Sequence, residues 1–231
     1  LPAGMLWAAY VRVTETSDPN VHGGTADGYD LNAIEALYSG VETLCDFDYQ
    51  CSDGILYQDS DGSNTDLYLV DTTTGEAELK KQYSGNFKNT LAANNAGEVF
   101  AIDRDTSELM QLMPDGTTVK IAQTDLPASE GTLAIAPDDK MYIALNDERL
   151  YEINMITGTA TLLGDLTADG FDVQGGDIVI DAYNVMTIVN TSGEVWTVDL
   201  ADLSIVNDLG DFGAGTFTGM AMWNGTYYVT E

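Results

Sequence analysis

Basic side chains are nearly missing from this chain: its 231 residues hold 8 Lys and Arg against 38 Asp and Glu, a formal charge of −30. A surface so anionic repels nucleic-acid phosphates and anionic lipid headgroups, which excludes nucleic acid as a partner and leaves membranes a poor one. No apolar run approaches the roughly 18 residues that a helical membrane span needs, so membrane insertion is not expected. Histidine occurs once, at His22, inside the polar, glycine-rich stretch Thr14–Asp30. A Ser-His-Asp or Cys-His arrangement therefore has little to stand on. Cysteine occurs twice, at Cys45 and Cys51, with no second pair and no neighbouring histidine. Structural zinc wants four nitrogen or sulfur ligands, so a small disulfide-closed loop is the expectation, and with it an oxidising compartment. No glycine-rich loop follows a strand and opens a helix; Gly215 and Gly219 fall inside a strand repeat instead.

What the chain has in quantity is aspartate, 26 of its 38 acidic residues. Short carboxylates suit turns, where the side chain accepts hydrogen bonds from the backbone just ahead of it. They also hold water and counter-ions, and a saline medium screens their mutual repulsion. An extracellular or cell-surface location fits this balance. The start at Leu1-Pro2-Ala3 is what a processed export product would look like, and a trimmed chain would look the same.

Self-alignment exposes a repeat. An apolar-aromatic pair follows a turn at Leu56-Tyr57, Val99-Phe100, Met141-Tyr142, Val185-Met186 and Tyr227-Tyr228, at steps of 43, 42, 44 and 42 residues. In phase with it run strand–turn–strand units at Leu67–Leu79, Leu109–Val119, Leu150–Leu163 and Val195–Val206. Small and aliphatic segments precede the first motif: Thr90-Leu91-Ala92, Leu133-Ala134-Ile135, Ile178-Val179-Ile180 and Met220-Ala221-Met222. Each unit thus predicts four strands, and the fixed period excludes a sandwich, whose strands carry no such repetition. The expected fold is all-β, a β-propeller of about five four-stranded blades over residues 31–231, preceded by an N-terminal strand and polar linker over 1–30.

Two departures bear on function. The fifth unit ends after its second strand, while the N-terminal run Met5–Val13, with Leu6, Trp7, Tyr10, Val11 and Val13, is strand-like and unassigned. It either closes its own ring or leaves to complete a neighbour's blade, which would build a head-to-tail filament. In the first unit the stretch Gly40–Gly54, which holds both cysteines, is an insertion. Such a loop is either a contact site or a cap on one end of the ring.

Candidate sites are few. Asp59, Asp61, Asn64 and Asp66 place oxygen donors around Gly62 in the manner of a calcium loop, although Tyr57 and Tyr68 stand where an EF-hand would need carboxylates. Ordinary turn chemistry accounts for the same residues. Tyr68, Tyr151 and Trp196, with Met110, recur at one blade position, as sugar-stacking aromatics or as sheet-to-sheet core. Asn190-Thr191-Ser192 and Asn224-Gly225-Thr226 fit the N-glycosylation pattern. Among so many acids, carboxylate pairs for glycoside hydrolysis always exist, and nothing singles one out.

The phrase Leu150-Tyr151-Glu152-Ile153-Asn154, followed by Thr157-Gly158 and Thr159-Ala160-Thr161-Leu162-Leu163, resembles the outer hairpin of secreted bacterial β-propeller repeat proteins. Leu67–Leu79 is similar to it, and the hairpins at Leu109 and Val195 match more loosely. The resemblance implies architecture and export, and leaves activity open among adhesins, sensors, lectins, enzymes and surface-assembly units. The expectation is a non-catalytic extracellular structural or interaction module, self-assembling or bound to a surface protein or glycan, with calcium its one candidate ion. A carbohydrate-binding or carbohydrate-active propeller is the alternative.

Overall fold

Turns built from Asp, Asn and Gly divide the chain into short strands whose apolar residues alternate, and such strands pair with their sequence neighbours. The computed structural model describes residues 8–10, 31–36, 55–87, 90–127, 131–166, 176–213, 215–223 and 225–230. Leu6, Trp7, Val11, Val13, His22, Cys45, Cys51 and Asn224 lie outside the described residues, and so does the insertion Gly40–Gly54.

Four antiparallel sheets of four strands follow one another along the chain. The first comprises β2 (Leu31–Ala36), β3 (Ile55–Ser60), β4 (Asn64–Val70) and β5 (Ala77–Ser84). The second comprises β6 (Ala92–Ala93), β7 (Val99–Asp103), β8 (Glu108–Leu112) and β9 (Thr118–Gln123). The third holds β10 (Gly131–Ile135), β11 (Met141–Leu145), β12 (Arg149–Ile153) and β13 (Ala160–Asp165). The fourth holds β14 (Asp177–Ile180), β15 (Val185–Val189), β16 (Glu194–Asp199) and β17 (Ile205–Asp211). A fifth sheet has three strands among the described residues, β18 (Gly219–Trp223), β19 (Thr226–Thr230) and β1 (Ala8–Tyr10).

The innermost strands β2, β6, β10, β14 and β18 neighbour one another in that order, and β18 returns to β2. That closed circuit makes the molecule a β-propeller. β1 pairs with β19 of its own chain, Ala8 opposite Tyr227 and Tyr10 opposite Val229, and the pairing is parallel. A tight hairpin would force an antiparallel third strand. β1 is joined to this sheet only through the whole ring, so no turn dictates its direction.

The core lies between blades. Leu109, Met141, Ile143, Tyr151 and Ile153 pack the second sheet on the third, while Leu150, Ile178, Ile188 and Val198 pack the third on the fourth. Val195, Phe217, Met220 and Val229 pack the fourth on the fifth. Ala221 and Trp223 join Tyr57, Leu67 and Val70 in the cluster that closes the ring. Each fully buried large side chain contributes about 1.5–3 kcal/mol. The repeated aromatic position belongs to this packing. Tyr151 is buried, Trp196 is partly buried against the third-to-fourth cluster, and Tyr68 stacks on Tyr57 with ring centroids 5.3 Å apart.

The outer edges of the four complete blades carry a shared irregularity. The pairing of third and fourth strands slips at Leu67/Tyr68, Leu109/Met110, Leu150/Tyr151 and Val195/Trp196. Those are equivalent positions of the repeat, and a bulge there twists the edge strand away from pairing with outside strands.

Candidate functional site

The turns show where the acidic residues go. Asp71 Oδ1 accepts hydrogen bonds from the amides of Thr73 and Thr74, at 2.7 and 3.1 Å, and Gly75 N returns to Asp71 O. Asp103 repeats the pattern with Asp105 and Thr106, and Asn154 with Ile156 and Thr157. In the shorter turns Asn94, Asp181 and Asn190 each cap two amides in the same way. A carboxylate that accepts such bonds is held in its charged form. Backbone donation therefore keeps Asp61 and Asp71 below the usual carboxylate range, while the Thr117 and Ser204 side chains and then their amides do so for Asp115 and Asp202. The Arg149 guanidinium lowers Asp147.

The candidate calcium residues are engaged in this way. Asp61 Oδ1 accepts from the amides of Ser63 and Asn64, each at 2.7 Å. Asp66 Oδ1 accepts from Gln82 Nε2 at 2.8 Å, and Asp59 lies opposite Asp66 in the β3–β4 ladder. Among the described residues no three His, Cys, Asp or Glu gather as a metal site. Asn190 is buried, its Nδ2 donating to Glu194 at 2.7 Å. Its Oδ1 accepts from the amides of Ser192 and Glu194, so this residue of the expected glycosylation pattern also caps a turn. Of the candidate closing strand, Tyr10 is described, through its backbone pairing in β1.

Two features at the axis were not legible in the sequence. Asp177, the first residue of β14, is buried and accepts from Thr132 Oγ1 in β10, from Ile178 N at 2.8 Å and from Met220 N in β18 at 2.7 Å. One carboxylate thus ties three consecutive blades at their innermost strands. At the opposite end of those strands is a cavity of about 50 Å³, walled by Ala93, Ala134, Ala136, Val179, Ile180 and Met222. It holds a few waters at most and is far below the ~300 Å³ of a small-molecule site. Across its rim Asn95 Nδ2 donates to Pro137 O at 2.7 Å, joining the second blade to the third.

No family model matches the chain, and no curated protein matches it. Solved structures do. The chain is similar to a structural-genomics protein of unknown function from Bacteroides thetaiotaomicron, with 13% identity over 87% of this chain and 52% of that one, at a TM-score of 0.59. It is also similar to a streptogramin B lyase, with 10% identity over 88% of this chain and 62% of that one, at a TM-score of 0.51. At such identities the likeness is one of fold. The chain spans about half to three-fifths of the length of these proteins.

Proposed function

We propose that the chain is a non-catalytic interaction module working outside the cell, in a saline medium. The observation that carries this reading is the commitment of its acidic and carboxamide side chains to the backbone of the turns. Asp61, Asp71, Asp103, Asp181 and Asn190, in the turns of three different blades, act as caps. Hydrogen bonds and, at Asp147, the Arg149 guanidinium hold the carboxylates of Asp61, Asp71, Asp115, Asp147 and Asp202 below the usual range and so in their charged form. What this chemistry builds is a hydrated, anionic ring that would make its contacts through its surface. A charge of −30 is tolerated best where salt screens it, which favours the extracellular location.

The test is a panel of polysaccharides and streptogramin B incubated with the protein at about 1 M salt, with and without Ca²⁺. No turnover and no glycan retention are expected. Turnover abolished by a point substitution on the ring would overturn the reading, and retention of one glycan class would replace it with the carbohydrate-binding alternative.

A further inference from the structure

We propose that the face of the ring formed by the first-to-second and third-to-fourth strand turns of the second, third and fourth blades docks a basic protein segment that also carries apolar side chains. The proposal rests on the reading of the chain as an interaction module and names the chemistry of its partner.

In an antiparallel blade those two turns leave from one end of the strands, and the second-to-third turn leaves from the other. The two ends show different chemistry to solvent. Ile156, in the β12–β13 turn, and Tyr183, in the β14–β15 turn, are the most exposed large apolar side chains among the described residues, at 87% and 86%. Both stand on the same face, in adjacent blades. At the other end, the second-to-third turns of the same three blades expose Arg104, Asp105 and Thr106, then Asp147, then Ser192.

The turns themselves require neither side chain. Ile156 N donates to the Asn154 cap from the position that Thr73 N takes on Asp71. Tyr183 N donates to Asp181 from the position that Ala96 N takes on Asn94 and Ser192 N on Asn190. The same backbone is thus built with Thr, Ala or Ser there. Isoleucine and tyrosine at these tips leave apolar surface in water with no return in folding, and a partner that covers it gains by doing so.

Charge selects that partner. The turns of this face carry Asp115, Asp138, Asp139, Asp181 and Asp202, while their one basic residue, Lys140, is paired with Asp138 at 3.4 Å. A second copy of a −30 chain is repelled from such a face, and so is an acidic polysaccharide. A basic segment is drawn to it. Lysine or arginine interleaved with aliphatic or aromatic side chains matches both features, the carboxylates and the apolar tips between them.

Hydroxyl-radical labelling of the intact free protein tests first whether the face is open. Tyr183 and Ile156 should label about as readily as they do in the unfolded chain, and protection of both would overturn the proposal, because the face is then already covered. Binding is next read by fluorescence anisotropy, with a short labelled peptide of alternating lysine and leucine at about 0.5 M salt. It should bind at least about tenfold more tightly than oligolysine of equal charge. Ile156→Thr and Tyr183→Ser, residues that turns of the same pattern already carry, should each weaken it on the order of tenfold with the thermal transition kept. Asp139→Asn should weaken it about threefold, whereas Asp105→Asn, the same charge change at the other end of the blades, should leave it unchanged. Oligolysine binding as tightly as the mixed peptide, or equal losses in Asp105→Asn and Asp139→Asn, overturns the proposal, since net charge alone then attracts the probe. Unchanged binding in Ile156→Thr and Tyr183→Ser overturns it too. These failures leave the interaction-module reading standing, which the substrate panel tests by itself.

Discussion

Leu203 fills the space that Gly164 leaves: a Cβ on Gly164 would fall 2.4 Å from Leu203 Cδ1. The pair repeats, with sizes exchanged, one blade earlier, where Gly158 faces Ala122 across the same kind of contact. Leu203 and Gly158 close equivalent outer turns with φ near +59° and +76°, the left-handed region that L side chains occupy at a cost of about 1 kcal/mol. At Leu203 that cost is offset by packing against the third-to-fourth blade cluster.

Gly164→Ala should therefore destabilise the protein by about 1–3 kcal/mol through overpacking. Leu203→Gly should change it less, since relief of the left-handed backbone offsets the lost apolar contact of about 1–2 kcal/mol. The double variant rebuilds the Ala122–Gly158 arrangement and should be more stable than the two single effects sum to. Urea unfolding of all four proteins measures that coupling, and additivity within about 0.5 kcal/mol would dismiss it.

Ser107 occupies the position that Gly75 and Gly158 hold in turns of the same hydrogen-bonding pattern, with φ +56°. Its own turn is closed by Ser107 N donating to Asp103 O at 2.7 Å. Ser107→Gly should raise stability by about 0.5–1 kcal/mol, read as a higher urea midpoint at unchanged slope. A loss of stability would mean that the hydroxyl carries weight that the backbone argument misses.

The turn and repeat logic was legible in the sequence because it is local. Asp71–Gly75 and Asn154–Gly158 advertise their caps and their left-handed residues in consecutive letters, and the pairs from Tyr57 to Tyr228 mark the period. Contacts between blades were not legible. Nothing local distinguishes Asp177 from any other aspartate, since what buries it are Thr132 and Met220, 45 and 43 residues away. Asn190 is a further case: its acceptor motif is three letters long and local, while its burial and its bond to Glu194 arise only in the folded sheet. The parallel direction of β1 was likewise out of reach, because no turn connects it to β19.

Asp177→Asn should be one of the costlier single changes in the ring. Asp177 Oδ2 accepts from Met220 N and Oδ1 from Thr132 and Ile178, so an amide must aim its NH2 at one of these donors. Leaving buried groups facing each other unpaired costs about 2–4 kcal/mol. Thr132→Val removes only one of the donors and should cost about 1–2 kcal/mol. Chemical denaturation that ranks Thr132→Val as the more damaging would reject the tie across three blades.

Acid should weaken the fold through the turn caps. Asp61 and Asp71 are lowered by backbone hydrogen bonds, and Asp115 and Asp202 chiefly by bonds from Thr117 and Ser204, so all four have folded pKa values below their unfolded value near 3.8. A group depressed on folding contributes stability that is fully present above the unfolded pKa and is lost as pH falls through the folded one. Their contribution should therefore be flat from neutral pH down to about pH 5 and decline below about pH 4. Protonation also relieves the repulsion of a −30 chain, with the opposite sign, so the titration belongs at about 1 M salt, where the screening length is about 3 Å. Asp71→Asn keeps an oxygen acceptor, as Asn154 does in the third blade, and removes the titrating group. That variant should match the parent near neutral pH and lose less stability in acid. A variant whose acid loss equals the parent's would show that Asp71 titrates alike in the folded and unfolded chain, and that the acid transition begins elsewhere.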